Sequence, residues 1–250
     1  MIIELYKTQS EIKEIVERLG NEPMRKSSHG FNDYGTMKII DAAKEQAKRF
    51  LENENKEDVA IRVMSVVLGA NRNWEKQVQP HLDRMKKEFP KLTFKDLKNM
   101  LSEKDYVQFK EVWGHKDKKK YDVLTALIDR ILTFENPNSA LDDFGIMKKW
   151  AYDAKLSDRK EDRLGSIPNI GIATFQHLRM AFGVDTIKPD QRVKEVLDKE
   201  FDAKLSSEKA ILAVEEIARI TEHKIIEIDQ IFVKYGSGYY KPASSEGCTI

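Results

Sequence analysis

Ten consecutive residues, Val59 to Leu68, read VAIRVMSVVL and carry a single charge, Arg62. A segment apolar on every side must be enclosed by other elements, and ten residues cannot span a bilayer. The rest of the chain supplies what encloses it. Apolar residues recur at helical spacing in segment after segment, no stretch alternates at period two, and no repeat of fixed period is present. The expected fold is all-α, with Val59–Leu68 as the buried central helix of a bundle.

The spacing predicts a first helix from Ser10 to Leu19, with Ser10 as N-cap and Ile12, Ile15, Val16 and Leu19 inward. Gly20 to Gly35 reads as an irregular connection, and Thr36 to Leu51 as a second helix. Beyond Leu68 the pattern predicts helices at Trp74–Lys87, Thr93–Leu101, Glu103–Val112, Lys118–Phe134 and Leu141–Tyr152. Three more are expected at Asp190–Phe201, Ser207–Thr221 and Ile225–Tyr235, followed by a mobile Gly/Ser-rich tail from Gly236 to Ile250.

Composition narrows the function classes. The chain has 250 residues, 34% of them charged, and a net charge of +1, so no global positive excess advertises nucleic acid. A local stripe remains open. The single cysteine, Cys248, rules out an intramolecular disulfide, a four-Cys iron–sulfur cluster and a Cys-rich zinc site. His29, His81, His115, His177 and His223 are too scattered to suggest a metal site. The amino end lacks the uninterrupted apolar core of a signal peptide. An intracellular protein is expected, cytoplasmic or nucleoid-associated in a prokaryote and nuclear in a eukaryote.

The chemistry concentrates between Leu164 and Leu197. After the charged approach Ser157–Arg163, the residues Ile167-Pro168-Asn169-Ile170-Gly171 read as a tight turn after a helix end, and a new helix starts at Ile172. Asn169 tolerates the left-handed conformation such a turn needs, and Gly183 stops the helix. Unpaired N–H groups at a turn and helix N-terminus can hold a phosphate without any basic side chain. The bland reading is an ordinary connection between two helices. At short range follows Lys188-Pro189-Asp190, which puts an Asp at the start of another helix. Asp there is a common N-cap; it is also a carboxylate held as the anion, suited to stabilising a sugar cation and orienting a water.

The turn reads Ile167-Pro168-Asn169-Ile170-Gly171-Ile172-Ala173-Thr174, and downstream come Ala181-Phe182-Gly183, Pro189-Asp190 and Arg192-Val193. This stretch resembles the helix-hairpin-helix, Gly/Pro-rich, catalytic-Asp motif of the DNA glycosylase superfamily. Upstream, Val63 to Leu68 followed by Gly69-Ala70-Asn71 is similar to the family's helix ending in Leu-Ser-Ala-Gln. Downstream, Glu227 to Phe232 with Tyr235-Gly236 is similar to its closing helix. The likeness covers residues 56–236.

The resemblance implies two helical lobes with a cleft between them. Residues 56–183 would hold the hairpin; 1–55 plus 184–236 would carry Asp190, with 237–250 as the tail. It implies a monomer acting on double-stranded DNA with a damaged or mismatched base, flipped out for excision. Asp190 would be catalytic. Asn169, Ile170, Gly171, Ile172, Ala173 and Thr174 would contact DNA, with N–H groups from Ile170 to Ala173 on a phosphate. A structural monovalent cation on hairpin carbonyls is the one bound ion implied, with no redox cofactor, catalytic metal or membrane.

Asn71 would fill the gap left by the base, or simply cap the Val59–Leu68 helix. Arg72 and Asn73 would touch DNA or solvent. Lys116, Lys118, Lys119 and Lys120 form a basic cluster of the kind that is more often a solvated face than a DNA contact, and Trp74, Trp113 and Trp150 are stacking candidates of a residue type that is usually core at helical spacing. Three departures from the family pattern stand out. Ala173 replaces the Lys of bifunctional members, the iron–sulfur appendage is missing, and Asn169 stands where Gly is usual. A monofunctional hydrolase follows, unless Lys188 or another lysine reaches the sugar. A catalytically silent DNA-binding protein is the alternative.

Overall fold

The structure, a computed structural model, describes residues 7–25, 36–52, 58–70, 72, 74–134 and 141–240. Among these the protein is all-α: twelve α-helices and one π-helical turn, with no β-sheet and a single isolated bridge between Pro23 and Lys38. The chain divides into two compact units, Met1–Arg49 with Asp185–Ile250, and Phe50–Val184.

The second unit is built around α3 (Val59–Gly69), in which nine of eleven residues are buried. It packs against α4 (Gln79–Glu88), α5 (Phe94–Glu103), α7 (Lys118–Leu132) and α9 (Ile172–Ala181). The other helices of this unit are α6 (Tyr106–Trp113) and α8 (Asp143–Asp153). Arg62, the one charge in α3, donates from Nη1 to Ala181 O at 2.7 Å and lies over the rings of Phe144 and Phe182. Its charge is thus satisfied inside the core rather than at the surface.

The first unit packs α1 (Gln9–Asn21) against α11 (Ser207–Thr221) and α12 (Ile225–Tyr239), with α10 (Gln191–Phe201) laid along α12. Phe201 and Phe232, both fully buried, join α10 to α12 with ring centroids 5.6 Å apart. The remaining helix among the described residues, α2, covers Ile39–Leu51.

Several boundaries differ from expectation, each for a local reason. Thr8, not Ser10, caps α1: Thr8 and Glu11 form a reciprocal capping box, and Ser10 bonds Glu14 instead. Residues 36–38 are not helical, because Met37 O accepts the Met24 N–H and Ile39 N–H goes to Glu22 O, which holds the bridge at Pro23 and Lys38. The helix expected from Trp74 begins as a π-turn, Trp74–Val78, before α4. The helix expected at Glu103 begins at Tyr106, since Asp105 accepts the Gln108 N–H as N-cap. Gly236 to Tyr239 extend α12 rather than forming a tail; residues 241–250 lie outside the described residues. No helix among the described residues is long and apolar enough to cross a membrane.

Candidate functional site

The hairpin lies in the Phe50–Val184 unit. Its apolar anchors Leu164, Ile167 and Ile170 are at most 3% exposed, each contributing about 1.5–3 kcal/mol by burial. They leave Pro168, Asn169 and Gly171 at the surface. Ile170 N–H closes the turn on Ile167 O at 3.0 Å, and Asn169 takes φ +70°, the left-handed conformation its position was expected to need.

The segment entering the hairpin is not the helix end that its sequence suggests. From Lys155 to Ile170 the backbone is a run of turns. Asp162 organises it: its carboxylate accepts the N–H groups of Leu164 and Gly165 at 2.8 and 2.7 Å, and the indole N–H of Trp150 at 3.1 Å. A side chain bonding its own backbone competes with helix, and here it wins. Arg159 braces the same turns, with Nη1 donating to Gly165 O at 3.1 Å and Ile170 O at 2.8 Å. Gly165 is required at this seat: a Cβ would stand 2.4 Å from Arg159 O.

Gly171 is the N-cap of α9 and has no side chain to offer the first turn. The N–H groups of Ile172, Ala173 and Thr174 therefore lack an intrahelical acceptor, at the positive end of the helix dipole. Nothing lies within 4 Å of where a Gly171 Cβ would be. Ile170 N–H, expected among the phosphate donors, is spent inside the turn. Gly171 through Thr174 are the donors that remain at this end.

Arg72, exposed, has Nη2 3.4 Å from Asp117 Oδ2. Asn71 and Asn73 lie outside the described residues; the C-cap of α3 is Ala70. The lysine cluster does not act as one face. Lys118 pairs with Asp122, whereas Lys120 Nζ donates to Val67 O, Leu68 O and Ala70 O at 2.7, 3.2 and 2.7 Å. Trp113 and Trp150 are core residues, and half-buried Trp74 donates its indole N–H to Gln79. No group of three or more metal-ligating side chains occurs among the described residues.

Asp190 lies in the other unit, as the N-cap of α10. Its Oδ1 accepts the N–H groups of Arg192 and Val193 at 2.9 and 3.2 Å. The chain enters through a three-residue turn in which Asp190 N–H donates to Lys188 O at 2.6 Å across Pro189. The second oxygen, Oδ2, stands 3.8 Å from Lys188 Nζ, and the Asp190 side chain is 29% exposed. One oxygen fixed by the backbone and the other held only in a long ion pair is a geometry from which a carboxylate can face a cation or orient a water.

Behind it sits a pair of charges that no motif announced. Asp229 on α12, 1% exposed, accepts Lys188 N–H at 3.0 Å through Oδ1 and the Gln230 amide at 2.9 Å through Oδ2. Burial, and then the neighbouring charge of Asp190, push its carboxyl up to about 7. Lys234, one turn further on, is pushed down to about 8 by burial, against the attraction of Asp229. Their signal was present in the sequence. Both fall among the apolar residues of IIEIDQIFVKYG, at positions that turn inward, where a charge is costly to bury.

Comparisons of the chain with family profiles, curated proteins and solved structures find no match.

Proposed function

We propose that the protein is a monofunctional DNA N-glycosylase with the two-lobed helix-hairpin-helix fold of that superfamily. The observation carrying this is the Asp190 carboxylate, pinned by two backbone N–H groups through Oδ1 while its part-exposed Oδ2 faces only the Lys188 ammonium, at 3.8 Å. The hairpin supports it, with a side-chain-free N-cap and open space before the first turn of α9.

In the proposed reaction the bond from the sugar C1′ to the base nitrogen breaks, and its electron pair leaves with the base. The sugar becomes an oxocarbenium ion, stabilised by the Asp190 anion. Water adds at C1′ and gives up a proton, which in the overall balance goes to the departing base, leaving an abasic site, the free base and an intact strand. The hairpin N–H groups of Gly171 to Thr174 take a backbone phosphate, which helps offset the cost of extruding the base. Ala173 offers no amine, so no Schiff base forms at that position.

The test is a panel of duplexes, each with one oxidised purine, alkylated purine, uracil or mismatched thymine, assayed for base release. One substrate is expected to react, and Asp190→Asn to cut release on the order of a thousandfold while duplex binding persists. Release unchanged in Asp190→Asn overturns the mechanism. Binding without release on every duplex favours the silent DNA-binding reading, and a borohydride-trapped adduct would reveal a lyase using Lys188 or another lysine.

A further inference from the structure

We infer that the hairpin carries its own cation: the Arg159 guanidinium takes the place of a bound monovalent metal ion, so the hairpin needs none. The DNA-binding consequence rests on the glycosylase reading above; the statement about the ion does not.

The donor set decides the point. Carbonyls turned inward by the hairpin are what a hard cation would seek. Around this turn Gly165 O and Ile170 O are bonded to Arg159 Nη1, while Leu164 O and Ile167 O accept the N–H groups of Ile167 and Ile170. A carbonyl has a second lone pair, but a metal ion using it would stand against a guanidinium that cannot lose its charge. The site does not fit the ion.

The arrangement is fitted from both sides. Gly165 leaves no room for a Cβ beside Arg159, whose Cγ would be 2.8 Å away. Asp162 holds the Gly165 N–H while Arg159 holds the Gly165 carbonyl, so the residue is fixed at both its polar groups. In a trans peptide the C=O and N–H point in opposite directions. By drawing Ile170 O toward itself, Arg159 therefore turns the Gly171 N–H the other way. Its charge also polarises that peptide unit in the sense that strengthens the outward donor. An ion would do the same two things, but its occupancy would follow the salt; the arginine is tethered.

Duplex affinity measured in potassium, sodium and tetramethylammonium chloride at equal ionic strength tests this. The wild-type protein is expected to bind alike in all three, because only the ionic strength matters to phosphate contacts. A wild-type loss of about tenfold in tetramethylammonium, which is too large for a carbonyl cage, overturns the inference. Arg159→Met is expected to lose about tenfold and to regain affinity in potassium alone. Equal affinity of Arg159→Met and wild type in tetramethylammonium also overturns it. Arg159→Lys, which keeps a tethered charge, covers the case in which the methionine variant does not fold. If the protein binds no duplex in any salt, the DNA reading fails, and thallium(I) titration followed by thallium NMR still decides about the ion. A silent wild type with site binding in Arg159→Met supports the inference; site binding by the wild type, or none by the variant, overturns it.

Discussion

Two helix N-termini in this molecule solve one problem in opposite ways. α9 begins at Gly171, which has no side chain, so its first-turn N–H groups are left for something else to bind. α10 begins at Asp190, whose Oδ1 takes two of the equivalent groups while Oδ2 faces the Lys188 ammonium. Identical backbone physics thus leaves a row of open N–H donors in one unit and a capping carboxylate in the other, and the difference is one side chain at the cap. Under the proposed function the first acts through shape and the second through charge. Substitutions at the two should therefore fail differently.

The largest expected effect is at the charged terminus. Asp190→Asn keeps the cap, since an amide oxygen accepts the same two N–H bonds, and removes the anion. Single-turnover base release should fall on the order of a thousandfold with the melting temperature little changed. A loss explained by unfolding would break the contrast.

Next comes the carboxyl behind it. Asp229 titrates at about 7 in the folded protein, well above an ordinary carboxyl near ~4. The folded state thus binds this proton more tightly than the unfolded one. Its contribution to stability is fully present below about pH 4 and is lost as pH rises through about 7. From denaturant midpoints at pH 5 and pH 8, the wild type should lose a few kcal/mol that Asp229→Asn does not lose. Lys234 acts in the opposite sense, but only above its value of about 8. Parallel profiles for the two proteins would show that Asp229 is not the titrating group.

The smallest effect belongs to shape. Gly171 has φ −82°, open to any residue, and a Cβ there meets nothing within 4 Å. Gly171→Ala should melt like the wild type yet bind duplex about tenfold more weakly, because the methyl occupies the approach to the first-turn N–H groups. Unchanged affinity would mean that no phosphate comes close to this end of α9.

Helix placement was largely legible because burial imposes its period on the sequence: the run at Val59 demanded enclosure and receives it. The turn chemistry of Asn169 and the cap at Asp190 were legible for the same local reason. What was not legible depends on partners distant in sequence or on competition between equals. Thr8 and Ser10 are both good caps, and only the reach of Glu11 decides. The approach to the hairpin looks helical until Asp162 and Arg159 claim its backbone. Of the candidate DNA contacts, the hairpin residues fall together by adjacency, whereas Asp229 reaches Lys188 from a position 41 residues away.

Lys120 has a use outside DNA chemistry. Its ammonium is held against three carbonyls at the end of α3, while Lys118 lies outward on the same helix. An amine-acylating reagent should therefore mark Lys118 at once and reach Lys120 only when α7 parts from α3. The chain contains a reporter of that local opening, readable by mass spectrometry without any label being engineered in.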